Sequence, residues 1–151
     1  MDVAKLQQQH LELTQALFKE GFLDEQFTQL QQLEDPSNPE FVAEVSTLFF
    51  DDSQRILAEL TKSLDGDPVD FKKIDAYVHQ FKGSSSSIGA HRVKVGCTVL
   101  RTCCEEENRE GCWQALQQVK QEFFLVKNRL ELLLQLEQQI LAEGGTIPFM
   151  E

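Results

Sequence analysis

Apolar residues in this chain recur at intervals of three and four, and that spacing commits it to amphipathic helices. Between residues 71 and 88 the series Phe71, Ile74, Val78, Phe81, Ser85, Ile88 advances by 3, 4, 3, 4 and 3. Before it, Val42, Val45, Phe49, Ile56, Leu60 and Leu64 keep the same period, with Ser53 filling one step. Towards the end, Val119, Phe123, Val126, Leu130, Leu133 or Leu134, and Ile140 or Leu141 do so again. Runs of Val, Ile and Thr alternating with polar residues are absent. Leu, Gln, Glu, Lys and Ala, all good helix formers, dominate instead.

Glycine and proline cut this pattern into segments. Gly21 closes a first helix expected over about 2–20, and a second over about 23–33 stops before Asp35-Pro36-Ser37-Asn38-Pro39. The third is expected over about 39–64, with Pro39 in its first turn. The fourth follows over about 68–88, with Asp67 as N-cap and Pro68 at the first helical position. A fifth covers about 91–107, Asn108-Arg109-Glu110-Gly111 reads as a turn, and the last runs over about 112–143. The reading is all-α: six helices in one domain, 1–151. Helices three to six form an antiparallel four-helix bundle, and the two shorter N-terminal helices lie across one end or side of it.

Charge narrows the partners. Lys plus Arg is 14 against 25 Asp plus Glu, a net charge of −11. A nucleic-acid backbone or an anionic membrane requires a positive footprint, and this background leaves none. No stretch approaches the roughly 20 apolar residues of a membrane span, and Met1-Asp2-Val3-Ala4-Lys5 is unlike a secretory signal. A cytoplasmic protein is expected. The four cysteines (Cys97, Cys103, Cys104, Cys112) include no C-x-x-C, and are expected as reduced thiols without a metal.

The fourth helix carries the chemistry. At about 100° per residue, His79 points roughly 130° away from the centre of the apolar stripe, so it is expected to be exposed midway along a rigid helix. Lys72, Asp75, Ala76, Lys82, Gly83 and Ser86 share its side. Gly83 breaks a local rule, since glycine inside a helix costs roughly 1 kcal/mol relative to alanine. One turn from His79, it clears space for another protein's surface to approach the ring. Lys82 brings an ammonium to a charge held there. A nucleophilic nitrogen, a cation and an open approach suit phosphoryl transfer, which depends on positioning and charge stabilisation.

The run His79-Gln80-Phe81-Lys82-Gly83-Ser84-Ser85-Ser86-Ser87-Ile88-Gly89-Ala90 resembles the signature of histidine-containing phosphotransfer proteins. Gln after the histidine and the Gly-Ser-Ser-x-Ser run resemble the plant members of the cytokinin phosphorelay, and the likeness in helix order and size extends over most of the chain. Pseudo-members of that family lack the histidine, which this chain keeps. The resemblance implies that a receiver-domain aspartyl phosphate of a hybrid sensor histidine kinase donates to His79 at Nε2. The group then passes to an aspartate of a response regulator. It implies a monomeric phosphocarrier without enzymatic activity or a cofactor of its own, the Mg²⁺ being held by the receiver, and nuclear as well as cytoplasmic residence. Lys82, Gln80, Gly83 and Ser86 are then expected to support the ring or the phosphoryl group. Phe27, Leu30, Phe41 and Val45, on the second and third helices, are expected as partly exposed receiver contacts.

Two other classes compete. A helical adaptor that binds without passing phosphate fits the charge and helix content equally well, but has no need of a cleared imidazole. A metal- or cofactor-binding bundle needs inward Glu-x-x-His pairs, and the sequence has none. His10, among glutamines, and His91, near a helix start, are not expected to carry phosphate.

Overall fold

The computed structural model describes residues 2–148. It contains six helices: α1 (Val3–Lys19), α2 (Glu25–Gln32), α3 (Phe41–Leu64), α4 (Phe71–Ile88), α5 (His91–Glu105) and α6 (Arg109–Ala142). Helices α3 to α6 pack in a ring, each against the next and α6 back against α3. The expected side-on helices are α1, along α6, and α2, against α3 and α4. Ile74, Val78, Phe81, Ser85 and Ile88 of the α4 stripe are all buried, and on α6 the ambiguous steps resolve to Leu133 and Ile140. Phe49, Phe81 and Phe123, from α3, α4 and α6, meet at the centre with ring centroids 5.8–6.5 Å apart. These aromatic contacts join three of the four bundle helices.

Several helix starts differ from expectation, and side-chain caps explain them. Helix α2 begins after Asp24, whose carboxylate accepts the Gln26 N–H at 3.0 Å, while Leu23 pairs with Ala90 in an isolated bridge. Pro39 lies outside α3. The α3 N-cap, Glu40, makes no side-chain cap bond; instead Glu34, two residues past the end of α2, accepts the Val42 N–H at 3.0 Å across the intervening loop. Asp67 and Pro68 lie outside α4, where Asp70 is the cap and accepts the Lys73 N–H at 3.1 Å. The stretch Asn108–Gly111 is not a turn but the first turn of α6. Asn108 caps it through the Gly111 N–H at 2.9 Å, and the chain reverses just before, at Glu107, with φ of 51°.

One reversal fixes the site. Between α4 and α5 Gly89 adopts φ of 82°, and a Cβ there would fall 2.7 Å from the Phe27 nitrogen. Only glycine meets both conditions. Its carbonyl accepts the Asp24 N–H at 2.9 Å, so the hairpin of α4 and α5 is seated on the start of α2.

Candidate functional site

Val78 and Phe81 are fully buried on the core side of α4, and their packing fixes the helix's rotation. His79 and Gln80 consequently face solvent, together with Gly83, while Lys82 and Ser86 are half-buried. An added Cβ at Gly83 meets nothing within 4 Å, so bundle packing does not require glycine there. Gly96 of α5 shows the contrast: its Cβ would stand 2.8 Å from Val119 Cγ2 of α6.

The ring of His79 is held from the neighbouring helix. Arg101 of α5 places Nη1 3.1 Å from His79 Nδ1, and its Nε donates to Asp75 Oδ1 at 3.1 Å. Asp75 lies one turn before His79 on α4, so carboxylate, guanidinium and imidazole form a chain across the α4–α5 groove. The hydrogen bond to Asp75, reinforced by its charge, raises the Arg101 guanidinium above its ordinary value and keeps it cationic. Arg101 was not singled out from the sequence. The signal that locates it is the tight reversal at Gly89, since His79 stands ten residues before that glycine and Arg101 twelve after it. At 1.5 Å rise per residue, antiparallel helices joined there bring the two level, roughly 15–18 Å from the turn.

The other expected supports are less engaged. Lys82 takes part in none of the ion pairs among the described residues. Ser84 donates to the Phe81 carbonyl at 3.1 Å and Ser87 to that of Gly83 at 3.0 Å, so both hydroxyls are turned onto the helix backbone. Ser85 is buried with its hydroxyl unpartnered, and Ser86 lies two turns from the ring. Ser84 and Ser87 thus spend their hydroxyls on the α4 backbone.

The other histidines are placed differently. His10 is buried, with Nε2 2.9 Å from Glu137 Oε2. His91 opens α5 with Nδ1 3.7 Å from a carboxylate oxygen of Asp24, the α2 cap. Burial pushes the Cys97 thiol up to about 12, which suppresses the reactive thiolate. Cys104 and Cys112 lie with sulfurs 3.8 Å apart, both free. Among the described residues no group of three or more His, Cys, Asp or Glu is placed to hold a metal, and no helix is long and apolar enough to cross a membrane.

Of the four residues expected at a docking surface, Phe27 is corrected: it is fully buried, because α2 turns it beneath the Gly89 reversal and into the core. Leu30, Phe41 and Val45 remain half-buried. Leu48, which extends the Phe41–Val45 spacing along α3, is 69% exposed and was not anticipated.

Residues 44–143 match the model of the Hpt domain. Over all 151 residues the chain is 61% identical to histidine-containing phosphotransfer protein 1 of Arabidopsis thaliana, covering 98% of that protein. Two solved histidine-containing phosphotransfer proteins superpose closely. The one from Medicago truncatula has a TM-score of 0.88 and 48% identity, over 93% of this chain and 96% of its own. The maize protein has a TM-score of 0.86 and 52% identity, over 89% and 99% respectively. With an exposed histidine braced on a helical bundle, a matching domain model and relatives alike over nearly their full length, this chain belongs to the histidine-containing phosphotransfer family.

Proposed function

We propose that the protein is a phosphorelay carrier in cytokinin-type two-component signalling, accepting a phosphoryl group on His79 and passing it on. The carrying observation is that His79 is solvent-facing midway along α4, braced through Nδ1, with an unobstructed glycine one turn away. An adaptor bundle has no use for that arrangement. The donor is the receiver-domain aspartyl phosphate of a hybrid sensor histidine kinase, and the acceptor is an aspartate of a response regulator. Lone-pair electrons of Nε2 form the N–P bond, the P–O bond to aspartate breaks onto the departing carboxylate, and the ring gives up one proton. The receiver contributes the aspartate and a Mg²⁺ ion. This chain contributes the nucleophile, the Lys82 ammonium against the phosphoryl oxygens, and room for approach at Gly83. Gln80 borders the same face.

The receiver docks on the surface shared by α2, α3 and α4, with Leu30, Phe41, Val45 and the outlying Leu48 as its apolar contacts. The carrier acts as a monomer in cytoplasm and nucleus, without enzymatic activity or a cofactor of its own. Its acidity, −11 overall, disfavours nucleic acid and anionic membrane as partners. Radiolabelled transfer from a phosphorylated receiver tests the assignment. His79→Gln is expected to stay folded and take no label, and label retained on it refutes the site. Lys82→Ala should still accept phosphate but about tenfold or more slowly, since charge-assisted contacts are worth roughly 1.5–3 kcal/mol. Parent-like kinetics would reduce Lys82 to a surface charge.

A further inference from the structure

We infer that Arg101 selects the resting tautomer of His79 and latches its phosphorylated form against premature loss of phosphate. The inference rests on His79 being the phosphorylated residue. A guanidinium has five N–H donors and no acceptor. Its Nη1, 3.1 Å from Nδ1, makes a hydrogen bond only if Nδ1 presents a lone pair. In the neutral ring the proton is then on Nε2, the atom that must attack phosphorus. Arg101 is not a drifting surface side chain, because Asp75 holds its Nε at the same time. Glu105, one turn further along α5, adds negative charge beside it.

This geometry gives the two halves of the relay different requirements. To accept phosphate, the ring must carry its proton on Nδ1 and present the Nε2 lone pair, so the Arg101 bond has to open. Once the N–P bond has formed and the Nδ1 proton has passed to water, Nδ1 again has a free lone pair. The phosphorylated ring then meets the same guanidinium in the geometry seen here. When phosphate departs, the N–P electrons return to Nε2. The ring leaves as neutral imidazole only if a proton has reached Nδ1, and otherwise as the far poorer imidazolate leaving group. Arg101 occupies the position that proton needs. It is thus a positioning residue that protects the phosphohistidine between partners.

Two measurements test this. In the unphosphorylated protein, nitrogen-15 NMR of the ring nitrogens, assigned by comparison with His79→Gln, should place the His79 proton on Nε2. Arg101→Glu offers only acceptor oxygens to Nδ1–H and should move the proton to Nδ1. A parent ring with its proton on Nδ1, or no tautomer change in Arg101→Glu, overturns the inference. Separately, His79 is loaded with phosphoramidate, a small phosphodonor, and spontaneous hydrolysis is followed by phosphorus-31 NMR. Arg101→Ala should shorten the phosphohistidine lifetime about three- to tenfold, a half-exposed charge-assisted bond being weaker than a buried one. An equal lifetime in a folded variant overturns the latch. If the parent takes no phosphate at His79, the carrier reading itself fails, while the tautomer measurement still decides the role of Arg101.

Discussion

Replacing Gly83 by alanine and by glutamine separates access from packing, because the two requirements predict opposite changes in stability. Gly83 lies inside α4, is exposed, and has nothing within 4 Å of the position a Cβ would take. The full helix-propensity gain of about 1 kcal/mol is therefore available to alanine, and most of it to glutamine. For a chain of this length that gain raises Tm by about 2–4 °C. Transfer should move the other way. Alanine adds one carbon to the face that the partner approaches, whereas glutamine adds a flexible side chain one turn from the imidazole. Misplacing reacting atoms by about 1 Å can cost on the order of a hundredfold, so Gly83→Gln is expected to slow transfer by about tenfold or more. Thermal melts followed by circular dichroism and radiolabelled transfer from a receiver read the two effects on the same samples. A lower Tm in Gly83→Ala refutes the open space at this position. Parent-rate transfer in Gly83→Gln refutes the access role.

Phe27→Ala should lose about 3–5 kcal/mol of stability in urea titrations, the usual cost of truncating a fully buried phenyl ring; a variant of parent stability would return Phe27 to the surface. Glu34 gives a pH dependence. Burial, with a smaller repulsion from Glu137, raises its carboxyl from 4.5 to about 7 against the opposing hydrogen bond from Val42. The folded state thus binds this proton more tightly than the unfolded chain. The contribution is complete below about pH 4.5 and is lost as pH rises through about 7. With the group half exposed, screening limits the loss to about 1 kcal/mol. Glu34→Gln should flatten stability across that interval, and an undiminished decline in the variant would assign it to another group.

The local rules of the chain were enough for the helices and for His79. A period of three and four is a property of consecutive residues, so the stripe through Ile74, Val78, Phe81, Ser85 and Ile88 identified the buried face of α4 and hence the exposed position of His79. Gly83 stood out for the same reason, as a residue poorly suited to its own helix. Helix starts were less legible where candidate caps compete. Asp67 and Asp70 are both good caps, and Glu34 replaces a missing cap on α3 across a loop. Gly111 read as a turn, although the reversal occurs at Glu107.

What neighbouring residues in sequence cannot specify is which side chains face each other across helices. Phe27 lies on a short helix whose apolar face has no partner until α2 docks on α3 and α4, and only then does it become core rather than surface. Arg101 reads as one more charge on α5 until the Gly89 reversal sets the antiparallel register and brings it to His79 and Asp75. The sequence by itself determined that His79 is exposed. Tertiary structure decided which charge holds its ring, because contact across a groove depends on interhelical register, which no single helix encodes.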